Sequence, residues 1–308
     1  IGVPALEVLP IVKQSDVVVF ELSSFQLWDL QKSPQVAVVL MIEPDHMDIH
    51  MDMDEYVGAK ANIARFQTAS NVVVFHPNNL FSAQVAAAGM GRKIRYNDAE
   101  DKGCYTKENT FFIQEEQICH TGSLRLPGQH NVENACAAIT AVRCFDETIL
   151  ADHIQTGLET FEGLPHRLKF IRNVDGVRYF DDNYSSAPGA AIAAIRSFTE
   201  PEVLILGGYD KKVDFHELAE VVAKQANIKH IILMGQTRHR LAAAFDAAGV
   251  SAPYDATDAS TLEPVIADAR NAATFGDVVI MSPGCASFGM FRNFSDRGNQ
   301  FVALVEAM

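Results

Sequence analysis

The chain has 308 residues, 48% of them hydrophobic and 21% charged, which suits about two ordinary domains with a sizeable buried core. Its formal net charge of −14, from 25 Lys+Arg against 39 Asp+Glu, argues against a nucleic-acid binder, which needs a basic face; the acidity is what ordinary solubility requires, and a small anionic substrate is still possible if a few cations gather at one site. The five cysteines (Cys104, Cys119, Cys136, Cys144, Cys285) are odd in number and form no Cys-x-x-Cys, and no apolar run approaches the roughly 20 residues of a membrane span, so a disulfide framework, a zinc-cysteine site and a membrane partner are not expected, and reduced thiols point to the cytoplasm.

The opening residues, “IGVPALEVLPIVKQSD”, lack the basic start and long apolar stretch of a signal peptide and carry no initiator Met. They read like mid-domain sequence, so the chain is expected to begin inside a larger protein. Three short runs follow: “DVVVFEL” (16–22), “QVAVVLMI” (35–42) and “NVVVFH” (71–76). Each is apolar throughout, as strands buried on both faces of a parallel sheet are. Between the last two, “DEYVGAKANIARF” has helical spacing, with Asp54 as N-cap and Tyr56, Ala59, Ile63 and Phe66 on one face. From 92 to 126 the pattern changes to short antiparallel strands, “TFFIQ”, “QICHTG” and “SLRLPG”. Two helices, “NVENACAAITAVRCF” and “LADHIQTGLETF”, lead to the connector “EGLPHR” (162–167).

A second series then alternates strands (“LKFIRNV”, “VRYFDD”, “EVLILGG”, “HIILMG”, “DVVIMSPG”) with helices near 188–198, 214–226, 237–248, 258–272 and 294–306. Such alternation predicts a doubly wound sheet. The expected fold is therefore α/β. A first domain (1–164) has a mostly parallel sheet plus a small antiparallel part, and a Rossmann-like doubly wound domain (165–308) follows.

In open α/β sheets ligands sit beyond the carboxyl ends of strands. Five strands here end in polar residues or glycine turns: Glu21 closes the first, “EPDHMD” with His46 follows the second, and “NYSSAP”, “YDKK” and “CASFG” follow three of the later ones. Taken singly each has an ordinary reading, as a solvated carboxylate, a surface His or Lys, or a plain turn. The stretch “EPDHMDIHMDMDEYVGAK” packs six acidic residues and two histidines into eighteen positions before ending on Lys60, and is either a solvated loop or part of a metal site.

The segments “ELSSFQL” (21–27), “EPDHMD” (43–48), “YVGAK” (56–60), “LPGQHNVENACAA” (126–138), “GLPHR” (163–167), “LGGYDKKVDF” (206–215) and “SPGCASFGMFRNFSDRGNQF” (282–301) occur in the order seen in the Mur ligases. The chain resembles that family from its first residue to its last, and “ELSSFQL” with “SPGCAS” is similar to the branch that adds D-glutamate. The resemblance implies a central ATPase-type domain and a C-terminal amino-acid-binding domain. It also implies an ATP-dependent amide ligase joining D-glutamate to UDP-N-acetylmuramoyl-L-alanine through an acyl phosphate, in cytoplasmic peptidoglycan precursor synthesis. A monomer is expected. Such a transfer rests mostly on positioning and charge neutralisation.

By the same resemblance Glu21 matches a carboxylate near the Mg²⁺ that bridges the ATP phosphates, His46 a ligand of a second Mg²⁺, and Lys60 the lysine carbamoylated by CO₂. Carbamoylation replaces an ammonium, which Mg²⁺ would repel, with an anionic oxygen ligand. Asp45 and Asp48 either support the metal ligands or are solvated neighbours, the latter reading being favoured. His130, Asn131 and Asn134 match positions near the nucleotide, with helix capping by Asn131 as the structural alternative. Arg167 matches an arginine touching ATP, where its fork of donors suits phosphate, and Asp182 a carboxylate near the ribose. Lys211, Ser287 and Phe294 match the D-glutamate pocket, and Ser186 stands where many relatives have Thr.

Two departures stand out. Tyr184 occupies a position where many relatives carry lysine, and a phenol supplies no positive charge at neutral pH, so Lys212 or Arg167 is the expected substitute. No G-x-x-x-x-G-K-[ST] loop occurs in the chain, so it is expected to be inactive alone. A folylpolyglutamate-type ligase and a non-catalytic nucleotide-binding domain are the rival readings.

Overall fold

The computed structural model describes residues 5–44 and 49–308 and divides into two compact units. Unit 1 comprises Ile1–Thr121 and Glu133–Ile154; unit 2 comprises Gly122–Val132 and Gln155–Met308.

Unit 1 opens with two single-turn helices, α1 (Ala5–Val8) and α2 (Ser24–Leu27). It continues through β1 (Val36–Val39), α3 (Met53–Lys60), α4 (Asn62–Arg65), β2 (Val72–Phe75), α5 (Leu80–Ala87) and β3 (Arg92–Arg95). The β-branched runs of β1 and β2 pair in parallel, Val36 beside Val72, and β3 adds to β2 in parallel with Val72 beside Arg92. Tyr56 and Val57 of α3, Ala64 of α4 and Val85 of α5 pack with Ala37, Val39 and Val73 as the core. A small antiparallel sheet, in the order β4 (Cys104–Lys107), β5 (Thr110–Ile113), β6 (Glu116–His120), precedes a 3₁₀ turn at Thr121–Ser123. Two helices close this half of the chain, α6 (Gln129–Phe145) and α7 (Ala151–Thr160).

Three local expectations change. “DVVVFEL” is no strand: residues 16–22 are irregular, and Val17, Val18 and Val19 are exposed, Val19 at 95%. A parallel strand needs a ladder partner, and β1 is the edge of its sheet with no described segment paired beyond it. “SLRLPG” is likewise unpaired: Pro127 has no N–H to give, Gly128 is left-handed (φ +95), and Cys104–Lys107 supplies the third antiparallel strand instead. The cap of α3 is Asp52, extended at φ −161 and accepting from the Glu55 N–H, so Asp54 lies inside the first turn. The helix ends at Lys60, and Phe66, beyond the short α4, is exposed.

Unit 2 is one six-stranded sheet. Its elements are β7 (Lys169–Val174), β8 (Val177–Asp181), α8 (Pro188–Ile195), β9 (Glu202–Gly208), α9 (His216–Lys224), β10 (Ile228–Gly235), α10 (Arg238–Ala248), β11 (Tyr254–Ala256), α11 (Leu262–Ala272), β12 (Val278–Met281) and α12 (Phe294–Glu306). The spatial order is β11-β10-β9-β12-β8-β7, parallel except for β7, which pairs antiparallel with β8. Ile195, Leu218, Leu241 and Phe245 from α8, α9 and α10 fill one core. Leu262, Val265, Phe301 and Val305 from α11 and α12 fill the other. Strand β9 lies between both layers and is buried at all its positions.

The order fixes where a ligand can sit. Strands β8, β9, β10 and β11 advance in one direction with α8, α9 and α10 on one face. Strand β12 then returns between β9 and β8 and leads into α12 on the opposite face. The carboxyl end of β12 is therefore flanked on both sides by strands whose loops turn the other way, and such reversals open crevices. At β9 and β10 the backbones close tightly: a Cβ on Gly207 (φ +107) would lie 2.2 Å from the Met234 carbonyl oxygen, so only glycine fits.

Candidate active site

Three loops meet at the carboxyl edge of the unit 2 sheet. The loop after β8 carries Asp182, Tyr184 and Ser186; the loop after β9 carries Lys211; the loop after β12 carries Ser287 and leads to Phe294, the first residue of α12. Tyr209 and Ala286 bridge the β9 and β12 loops. Lys211 and Ser186 are exposed, Ser287 is buried and Phe294 is part-exposed. Lys212 is paired with Asp210 at 3.2 Å, and Arg240 holds the other Asp210 oxygen. A cleft of about 210 Å³ opens beside this edge between the ends of β9 and β10, lined among others by Gly208, Gln236, Arg238 and Phe288.

The Asp182 carboxylate is held by Ser282 Oγ (2.6 Å) and the Leu168 N–H (3.0 Å). Burial outweighs these bonds and pushes its pKa up to about 7, helped by the neighbouring Asp181. Beside it the Arg167 guanidinium lies 4.2 Å from the Tyr184 ring, which meets Phe294 edge-on at 5.0 Å. Of the two cations expected to stand in for the missing lysine, Arg167 is the one against Tyr184.

The residue that holds the loops together is one the sequence reading missed. Arg297 on α12 is fully buried (0% exposed). Its Nε donates to Asn183 Oδ1 (2.8 Å), one terminal nitrogen to the Asn183 carbonyl (3.1 Å) and the other to the Cys285 carbonyl (3.1 Å). Asn183 Nδ2 in turn donates to Asp181, which pairs with His166 Nδ1 at 2.6 Å. Burial lowers the Arg297 pKa to about 10, still charged at neutrality. The signal was legible: Arg297 sits in register with the apolar positions Phe294, Phe301 and Val305 of α12. Gly298 is required beside it, because a Cβ there would lie 2.2 Å from His166 Nδ1.

The sites expected in the first half of the chain are less complete. Glu21 is exposed on irregular chain just before α2. His46, with Asp45 and Asp48, lies outside the described residues. Lys60 is in the last turn of α3, its Nζ 4.7 Å from the Tyr56 ring centroid. Helix α2 is closed by a capping box between Ser23 and Gln26, and Asn62 Nδ2 ties it down through the Leu27 (2.7 Å) and Trp28 (3.0 Å) carbonyls. At the start of α6, His130 and Asn131 are half-buried and Asn134 exposed. Asn131 is not a cap: it is inside the helix, and its Nδ2 donates to the Pro127 carbonyl (2.7 Å). Among the described residues no three His, Cys, Asp or Glu side chains converge as a metal site needs. With His46 outside the described residues, Glu21 and Lys60 do not by themselves make up a divalent-cation site.

A doubly wound unit with a polar carboxyl edge, a reversal of strand order at β12 and a small adjoining cleft defines an α/β protein of the class that handles small ligands at strand ends. Within that class the chain belongs to the Mur ligase family: the Mur ligase middle domain matches residues 1–142 and the Mur ligase, glutamate ligase domain matches residues 166–285. UDP-N-acetylmuramoylalanine–D-glutamate ligase of Clostridium tetani is 36% identical over 99% of this chain and 66% of its own length. The relative of that name from Acetivibrio thermocellus is 36% identical over 100% of this chain and 67% of its own. The chain thus spans about two thirds of the length of these relatives. Among solved structures, UDP-N-acetylmuramate-alanine ligase MurC of Thermotoga maritima superposes with a TM-score of 0.66 at 14% identity, covering 92% of this chain and 62% of that one. A folylpolyglutamate synthase of Mycobacterium tuberculosis does so at 0.61 and 16%, covering 92% and 66%. At such identities these show a shared fold. No helix among the described residues is long and apolar enough to cross a membrane.

Proposed function

We propose that this chain is the greater part of an ATP-dependent ligase that adds D-glutamate to UDP-N-acetylmuramoyl-L-alanine in the cytoplasm. The observation that carries the reading is the end-to-end match to relatives bearing that activity in their names. In the proposed reaction the UDP-N-acetylmuramoyl-L-alanine carboxylate attacks the γ-phosphorus of ATP, releasing ADP. The D-glutamate amine then displaces phosphate and loses a proton.

Unit 2 supports the amino-acid half of this reading. Lys211 and Ser287 flank the β9–β12 crevice, Ser186 and Phe294 the β12–β8 side, and a cation with hydroxyl donors suits a small dicarboxylate. Arg167, over the Tyr184 ring, offers its outer donors to a phosphate and takes over the charge that lysine supplies in many relatives. Asp182 accepts ribose hydroxyls when ionised. His130, Asn131 and Asn134 attend the nucleotide. In unit 1, Glu21, His46 and Lys60, the last as a carbamate formed from its neutral amine and CO₂ with loss of a proton, would hold two magnesium ions that would supply charge neutralisation for the phosphates. The protein acts as a monomer, and the sequence boundary between its two domains falls near Leu164.

The test is phosphate release by the full-length protein carrying this chain, with UDP-N-acetylmuramoyl-L-alanine, ATP and Mg²⁺, offering D-glutamate, L-glutamate and L-alanine in parallel. Turnover with D-glutamate alone is expected. Turnover with another amino acid instead, or none with any, overturns the reading, and the second result leaves a nucleotide-binding domain that does not catalyse.

A further inference from the structure

Strands β9, β10 and β11, with α9 and α10 between them, form a complete strand–helix–strand–helix–strand unit whose three strands are adjacent and parallel. The cleft of about 210 Å³ lies at the carboxyl ends of all three, and none of its lining residues has a role in the ligase reaction read above. Gly208 and Gly235 pair side by side at the ends of β9 and β10 and give the cleft a floor of bare backbone. Phe288, from the loop after β12, forms a wall; it is 52% exposed and meets Tyr209 edge-on at 5.9 Å and 89°. Arg238 donates from one terminal nitrogen to the Gly235 carbonyl at 2.9 Å and pairs the other with Asp258. Two polar groups are left over. Gln236 Oε1 accepts from the Asp210 N–H at 3.3 Å, while its Nε2 has no hydrogen-bond partner among the described residues. The second Asp258 oxygen is likewise unpartnered among them, on a side chain that is 85% exposed.

We propose that this cleft binds a nucleoside, its base against Phe288 and its ribose diol on Asp258. The charges of Arg238 and Asp258 cancel, so the lining does not select a phosphate or a dicarboxylate. What it still offers is one amide donor, one carboxylate acceptor and an exposed aromatic ring. A base supplies an acceptor for Gln236 and a flat face for Phe288. A vicinal diol supplies two donors for the carboxylate, and an acidic side chain on the sugar hydroxyls is how doubly wound sheets hold a ribose at strand ends. The size agrees. Pockets for whole drug-sized ligands run from about 300 Å³ upward, so about 210 Å³ takes a base with its sugar and leaves any phosphates outside. The turn from β9 to α9 agrees as well. In place of the glycine-rich turn that receives a pyrophosphate, residues 209–215 carry the Asp210 carboxylate, whose two oxygens are held by Lys212 and Arg240.

The test is an NMR titration of the ¹⁵N-labelled full-length protein carrying this chain with adenosine, uridine, their 2′,3′-dideoxy forms and inorganic phosphate, read at the amides of Gln236, Asp258, Ala259 and Gly289. These amides report the cleft, so a nucleoside bound at the ligase site does not score. Saturable shifts with adenosine or uridine are expected, with a Kd on the order of 0.1–1 mM for a ligand of that size. Shifts with adenosine alone name adenine nucleotides as the source of the ligand, shifts with uridine alone name uridine nucleotides, and shifts with both describe a site that takes the sugar and any flat base. The dideoxy forms, which lack the diol, are expected to bind about tenfold more weakly. Asp258→Asn should weaken the ribonucleosides by a similar factor and leave the dideoxy forms unchanged, and Phe288→Leu should weaken all of them about fivefold. Both side chains are exposed, so neither variant endangers the fold. No shift at these amides with either nucleoside at about 10 mM overturns the proposal. So does equal affinity for the ribose and dideoxy forms, and so do shifts produced by phosphate alone, which would make the cleft an anion site.

Discussion

Glu202 opens β9 and is completely buried. Oε1 accepts from Asn227 Nδ2 at 2.8 Å, while Oε2 has no hydrogen-bond partner among the described residues. Cations on neighbouring strands are engaged elsewhere, Lys229 with Asp277 and Arg178 with Glu200. Burial therefore pushes the Glu202 pKa from 4.5 up to about 8, and the Glu200 charge adds to the rise. Glu202→Gln replaces a carboxylic acid by a neutral amide of the same shape. Below about pH 4.5 the acid is protonated in both folded and unfolded chains and adds no pH dependence. Between about 4.5 and 8 the folded chain keeps a proton that the unfolded chain has released, so stability falls as pH rises. A gap of about 3.5 pH units corresponds to a ceiling of about 5 kcal/mol, of which about 3 kcal/mol is expressed between pH 5.5 and 8.5. Urea titrations followed through the amide signals of β9, at several pH values, measure it. The glutamine variant is expected to lose that part of the slope, and the difference between the two proteins cancels the contribution of Asp182. Parallel slopes for both proteins would show that Glu202 is ionised in the folded state and would refute the argument.

Arg297→Lys keeps the charge but cannot reach Asn183 and Cys285 together, and is expected to cost about 3 kcal/mol in urea unfolding of unit 2, close to the loss in Arg297→Met. Ser282→Ala removes a donor that stabilises the charged Asp182, so the Asp182 pKa should rise above about 7, as ¹³C carboxyl shifts would report. Tyr184→Leu removes the surface on which Arg167 lies; at about 0.5–1 kcal/mol for an exposed cation–ring contact, the Kd for ATP should rise about two- to five-fold, with Tyr184→Phe unaffected.

Much of unit 2 was legible because its strands and helices alternate at full length, and five apolar runs there became β7, β8, β9, β10 and β12. Several signals were too weak to read, two strands among them. “RKIR”, which forms β3, has one buried residue, Ile94, because it lies at a sheet edge. “YDA”, which forms β11, is three residues long and has none buried. The opposite error, over-reading “DVVVFEL”, shows that an apolar run states only a capacity for burial; the partner that realises it is a tertiary fact. The site was read through individual polar residues at strand ends. Arg297 does not belong to that pattern, since it works from inside the protein as one guanidinium on an apolar helix face.

Arg297 also bears on how unit 2 assembles. Its partner Asn183 lies 114 positions away in the chain, and Cys285 precedes it by 12. Until both loops are seated, closing α12 over the sheet would strand a charge without water or partners, which is costlier than leaving the helix open. The contact therefore rewards only the finished arrangement. Docking of α12 is therefore expected late in folding, and the β8 and β12 loops are expected to open as one cooperative unit, with amide protection of both lost at a common free energy.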